Sequence, residues 1–343
     1  MVKTLICTCS LLLPIAGLPD GAVNLAGPVA GYVAGPSEPE LRAISGVPGS
    51  YLFSDPLPLP PGTTRVRLAP GQNFALTERG EAGLAVLDLS GGAVDRVEAL
   101  GGALPAADWV AFSPGARSAI LFSSSAQRLQ LLTGLPGTPR VALDLDASTL
   151  PEPPFTAAVS DDGNLLVVAS GHSVYLLPPG GPAQLLLSVG EVLSVVVLPN
   201  GTDVAVADRR TDSIHLVQWG SQSWLPPAFS RRSSASALNV ASAPVSRVLA
   251  SGLSGIGKIY PAADGRSIFV ARPGAKAVSI VDVVSGDVQT FPSGVAPVQL
   301  LPLRNRDTFL ISARPGQPGG VFLRDGNQGC VVFIPAAGVE GAQ

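Results

Sequence analysis

Ile259-Tyr260-Pro261-Ala262-Ala263-Asp264-Gly265-Arg266-Ser267-Ile268-Phe269-Val270 is an apolar run, a turn dipeptide and a second apolar run. Asp-Gly tolerates the positive φ that a tight hairpin requires, so the stretch predicts two antiparallel strands. The same unit recurs upstream. It appears as Val66–Leu76 around Pro70-Gly71, Val110–Ile120 around Pro114-Gly115, Ala158–Val168 around Asp162-Gly163, and Val196–Val206 around Asn200-Gly201. A degenerate sixth copy runs from Leu301 to Leu310. Successive turns are 44, 48, 38, 64 and 41 residues apart. Four of these intervals match the roughly 40–50 residues of one four-stranded propeller blade.

A third strand follows each unit. Examples are Gly83–Leu89, Arg128–Leu132, Ser173–Leu177, Ser213–Val217 and Ala277–Asp282. Gly-rich turns and a fourth strand come next, as in Ser285–Phe291. The runs mix alternation with continuous apolar stretches, which suits a sheet covered on both faces. The expected fold is all-β: a β-propeller of four-stranded blades, six preferred and seven as the alternative. Leu41–Ser45 and Tyr51–Ser54 form a possible hairpin that would supply part of a seventh blade or close the ring.

Composition agrees with this reading. Hydrophobic residues make up 46% and charged residues only 14% of 343 residues, and Gly and Pro together number 72. Ordinary domains carry about 25% charge, and disordered chains carry more. The formal charge is −3 with no basic stripe, so nucleic acid is not an expected partner.

The N-terminus has the order of a secretory signal: Lys3, an uncharged apolar run from Thr4 to Ala16, then small residues. That run is too short to span a bilayer. The expected organisation is a signal peptide at 1–17, a loose lead at 18–40 and one propeller domain at 41–340. A loop inserted at about 219–244 accounts for the 64-residue interval. Loss of Cys7 and Cys9 with the signal leaves Cys330 alone, so no internal disulfide is expected. Export to the periplasm or the exterior, no transmembrane segment and a monomer complete this expectation.

Asp264–Arg272, Ala277–Asp282 and Gly286 resemble the YVTN-type β-propeller repeat, which is close to lactonase-like and NHL propellers. The resemblance is good in that blade and looser in the other five. It implies an exported bacterial ring of four-stranded blades. No Trp-Asp dipeptide closes a third strand, so the WD40 signature is not met.

Chemical motifs are few. Gly252–Lys258 nearly spells a phosphate-binding loop, but Ile259 stands where Ser or Thr must reach magnesium, and Tyr260-Pro261 opposes a following helix. Asp144, Asp146 and Glu152 specify no calcium geometry. His172 and His215 lack a partner motif. No catalytic, metal or cofactor residues are expected. Aligning the blades by their turns places Arg79, Arg209, Arg272 and Arg314 at one equivalent position after the second strand, with Ser124 and Gly171 in the remaining two blades. Such loops share one face of a propeller, so these arginines form a candidate ligand-binding rim for carboxylate or phosphate. Solvated strand ends are the plainer reading.

The leading functional expectation is a non-catalytic exported module that binds a protein, peptide or polysaccharide. The alternatives are a lactonase-like or lyase-like enzyme with its site at the ring axis, and an interaction platform using the Ser/Arg-rich insertion.

Overall fold

A computed structural model describes residues 28–35, 39–47, 50–178, 180–219, 244–304, 308–314, 317–325 and 328–332. The expected signal peptide and nearly all of the expected insertion lie outside them. Seven antiparallel sheets follow one another along the chain, six of four strands and one of three among the described residues. The only described helices are two single 3-10 turns, Gly80–Ala82 and Ala147–Thr149.

In each sheet the strands are hydrogen-bonded in chain order. The first strand lies innermost, and the seven inner strands are Val29–Ala34, Arg65–Leu68, Trp109–Phe112, Pro154–Val159, Val192–Val197, Ile259–Pro261 and Gln299–Pro302. Numbered in that order, blades 2 to 7 are the six sequence repeats and blade 1 is the N-terminal sheet. Seven buried apolar clusters fill the seven interfaces between neighbouring blades, including the one between blades 7 and 1. The ring is therefore closed with seven blades rather than the preferred six.

Second strands such as Phe74–Glu78, Leu166–Ser170 and Val204–Asp208 are buried along their whole length, because both faces are covered by neighbouring blades. The turn chemistry is as the sequence suggested. Gly163, Gly201 and Gly265 have φ of 73°, 77° and 68°. Asp162 Oδ1 accepts the N–H of Asn164, Asn200 Oδ1 that of Thr202, and Asp264 Oδ1 that of Arg266, so each side chain locks its own turn.

Blade 1 departs from the expected organisation. Its hairpin is the one the sequence suggested, with Ile44 opposite Phe53 and Ser45 opposite Leu52. Its inner strand, Val29–Ala34, lies inside the stretch read as a loose lead. The small residues there serve close packing. A Cβ on Gly31 would stand 2.5 Å from Gln72 Oε1 and 2.6 Å from Leu303. After Pro56 the chain carries Pro58, Pro60 and Pro61, which lack the N–H that a ladder needs. Leu57 and Leu59 instead pack into the interface with blade 2.

The meander gives the ring two unlike ends. The turns between first and second strands gather at one end, here the turn face. The loops leading into the inner strands and those joining second to third strands gather at the other, the inlet face.

Candidate functional site

A cavity of about 1060 Å³ runs along the ring axis, lined by residues of the inner strands and of the loops at both ends. Each inner strand pairs on one edge only, so unpaired main-chain groups face the axis. Most side chains along the wall are apolar or small, with Thr156, Ser194 and Gln299 adding neutral polar groups.

Only the inner strand of blade 2, Arg65-Val66-Arg67-Leu68, carries charged residues; the other six have none. Arg65 and Arg67 are two apart, so they project to the same side of the sheet. Arg65 Nη1 donates to Ala107 O at 2.9 Å and stands 3.7 Å from Glu78 Oε1. Arg67 Nη2 reaches Ala107 O at 3.4 Å and Asp108 O at 3.2 Å, while its buried Nε has no partner. Burial, with the Arg65 guanidinium beside it, holds the Arg67 pKa below the ordinary arginine value. Asp108, the acid in the wall, accepts Ser124 N at 2.5 Å. Its pKa is lowered first by the Ser124 hydrogen bonds, with Arg65 and Arg67 adding to the effect.

Lys258 and Arg304 complete the cations of the wall. Lys258 is exposed and stands just before the inner strand of blade 6. It ends the glycine-rich loop, whose N–H groups are not arranged as a phosphate cradle. Leu253 N donates to Asp212 O, Ile256 N to Asp212 Oδ1 and Gly257 N to Ala271 O. Arg304 lies at the turn face, where it donates to Gln72 O, Tyr32 Oη and Leu89 O.

The three rim arginines whose side chains are described, Arg79, Arg209 and Arg272, are each engaged within their own blade. Each described one reaches back to the loop leading into its own blade. Arg79 donates to Pro61 O at 3.4 Å, Arg209 pairs with Glu191 at 3.2 Å, and Arg272 donates to Ser254 O at 3.0 and 3.1 Å. Arg314 ends its strand at the equivalent place, and its side chain lies outside what the structure describes. The neighbouring acids do not pair with these arginines. Glu78 stands by Arg65, and the Asp208 carboxylate accepts the N–H groups of Gly190, Glu191 and Arg210 together with Thr211 Oγ1.

The other chemical residues are accounted for locally. Asp144 pairs with Arg128 at 2.6 Å, and Asp146 accepts Ser148 N. His172 is exposed in a turn. His215 Nε2 stands 3.3 Å from Ser213 Oγ, but Ser213 is only 3% exposed and offers no accessible nucleophile. Among the described residues no three His, Cys, Asp or Glu side chains are grouped to hold a metal ion. A second cavity of about 870 Å³ opens between blades 3 and 4 at the turn face. Its carboxylates are spent within the fold: Asp161 accepts Gly115 N, and Asp162 accepts Ser160 Oγ and Asn164 N. The channel carries the stronger case.

Sequence reasoning missed Arg65 and Arg67. The available signal was alignment of the inner strands, which shows charge in one of seven.

No protein-family model and no curated protein matches this sequence. Solved structures match its fold. One is PorZ, described as an essential bacterial surface component of the type-IX secretion system of Porphyromonas gingivalis, with TM-score 0.55 and 12% identity. The match covers 91% of this chain and 39% of PorZ, so this chain spans well under half of that protein's length. Another is a functionally unknown protein from Desulfotomaculum acetoxidans DSM 771, with TM-score 0.48 and 14% identity over 79% of this chain and 87% of that one. At 12% identity the likeness to PorZ is one of propeller fold.

Proposed function

We propose that this chain is an exported, non-catalytic β-propeller serving as a binding or scaffold module at the cell envelope or outside the cell. The observation that carries the reading is the axial channel. It combines an apolar and small-residue wall with exposed main-chain edges and one charged strand, a lining suited to holding a ligand. The signal-like order of residues 1–17 supports export. The repeat in blade 6 supports kinship with the YVTN-type exported propellers. PorZ, a bacterial surface component of similar fold, fits the same setting by analogy. Arg79, Arg209, Arg272 and Arg314 belong to this reading as the outer margin of the inlet face. No described helix is long and apolar enough to cross a membrane.

The test is made in native cells. Fractionation with N-terminal sequencing should find the chain outside the cytoplasm and shortened by about 17 residues, as the signal pattern implies. A photoreactive residue at exposed Ser254, on the inlet face, should form a discrete adduct with an envelope or extracellular component. Cytoplasmic retention with Met1 intact, or steady turnover of lactone substrates by the purified protein, would overturn the proposal.

A further inference from the structure

We infer that the inlet end of the axial channel is an anion site, accepting a flexible ligand that bears several carboxylate or phosphate groups. This rests on the binding-module reading and specifies what the module binds.

Two arginines on an inner strand are costly to fold. Arg67 is half-buried, so its charge is partly desolvated, and the exposed Arg65 sits beside it with like sign. Arg65 is answered by Glu78 and Ala107 O. Arg67 has two long main-chain contacts through one nitrogen and an orphaned Nε. Asp108 lies close, but its carboxylate is drawn to Ser124 N. The Lys258 side chain makes no hydrogen bond or ion pair among the described residues, yet its backbone is firmly placed. Gly257 N donates to Ala271 O at 2.7 Å, and Ala271 N donates to Lys258 O at 3.0 Å. A Cβ on Gly257 would meet Ala271 O at 2.7 Å, so the glycine permits the close approach that sets Lys258 at the channel. The glycine-rich loop thus delivers a lysine rather than a phosphate cradle.

Blades 2 and 6 are not adjacent in the ring, so one small anion would not satisfy both cations. The cavity of about 1060 Å³ has room for a ligand of several units. Charge-assisted hydrogen bonds from guanidinium and ammonium groups suit carboxylate and phosphate alike.

Calorimetric titration with tripolyphosphate, trigalacturonate and neutral maltotriose tests the inference. The full exported chain is used, at low ionic strength and again at about 0.15 M salt, where screening acts over about 8 Å. At least one of the two anions should bind saturably and more weakly at the higher salt. The anion that binds more tightly names the source of the charge. Arg67→Gln with Lys258→Gln should weaken anion binding at least about tenfold, and Lys258→Gln alone, at an exposed position, should weaken it measurably. Arg96→Gln with Arg140→Gln makes the same change in net charge away from the inlet end and should leave binding unchanged. Absence of saturable binding by either anion overturns the inference, as do equal losses in the two double variants. Binding of maltotriose, equal in wild type and the channel variant and without anion binding, overturns the anion inference while sustaining the binding-module reading.

Discussion

Asp208 shows how a single carboxylate organises the inlet face. It is 1% exposed, yet it accepts three backbone N–H groups and one hydroxyl, so it joins the loop leading into blade 5 to the loop between that blade's second and third strands. Burial opposes its ionisation more than any other single influence. The bonds from Thr211, Glu191, Gly190 and Arg210 together outweigh it, and the pKa lies below the ordinary aspartate value. A carboxyl depressed in the native state stabilises the fold above its unfolded pKa of about 3.9 and loses that contribution as pH falls through the native value. Asp208→Asn keeps the shape and removes acceptor capacity. It should cost about 1–3 kcal/mol near neutral pH. Urea unfolding should show the gap from wild type closing below about pH 4. A gap independent of pH would mean that the carboxylate charge contributes nothing. Glu78, Ser123 and Ser170 occupy the corresponding end of the second strand in blades 2, 3 and 4, and each is buried. Ser170 Oγ donates to Glu152 O and accepts Glu152 N, doing with one hydroxyl what Asp208 does with a carboxylate.

At the scale of elements, the hairpin of first and second strands was the most legible part of the molecule. Its turns carry Asp-Gly or Asn-Gly in three blades, and the structure places those glycines at positive φ. The third strand, Ser213–Gln218, and the fourth, Val245–Ala250, of blade 5 flank the expected insertion, and Gln218 lies opposite Val245 in the ladder. Those two residues are already neighbours across a hairpin, so replacing residues 220–243 with a short Gly/Ser turn should preserve register. The melting temperature should move by no more than about 2 °C, the range expected of surface changes near 0.5 kcal/mol. A loss of several kcal/mol would assign packing contacts to the excised segment. Blade 1 was the least legible element. Its inner strand is rich in Gly and Ala, and its last stretch is broken by prolines, so neither the repeat period nor an alternating pattern marks it. The rim arginines were visible because they follow a turn that can be aligned. Their partners were not, because Pro61, Glu191 and Ser254 lie 18 residues upstream in each case and come close only when the blade folds.

For the whole molecule the decisive feature is how the ring closes. Blade 1 and blade 7 are each built from consecutive strands, so no described ladder joins the two ends of the chain. Closure rests on side chains, one apolar cluster and a main-chain bond from Arg304 N to Ala30 O. Gln72, from the turn of blade 2, takes the place of a neighbouring strand. Its Oε1 accepts Tyr32 N at 2.5 Å and its Nε2 donates to Tyr32 O at 3.1 Å. Arg304, from blade 7, bonds Gln72 O and Leu89 O and lies 5.0 Å from the Tyr32 ring centroid, while its backbone N–H donates to Ala30 O. Blades 7, 1 and 2 thus meet in one clasp. A ring held by laddered strands would open only with global unfolding; one held by a clasp should open first at that seam. Gln72→Leu leaves Tyr32 main-chain groups buried without partners and should cost about 1–3 kcal/mol. Native-state hydrogen exchange should show amides of Val29–Ala34 and Leu41–Val47 speeding up well before those of blades 3 to 6. Gln130→Leu removes a comparably buried glutamine, 4% exposed, that bonds Leu104 N and Gly102 O away from the seam. It should destabilise to a similar degree while leaving exchange in blade 1 unchanged. Equal acceleration in all seven blades from either substitution would show that the ring opens as one unit and that the clasp is no weaker than the other interfaces.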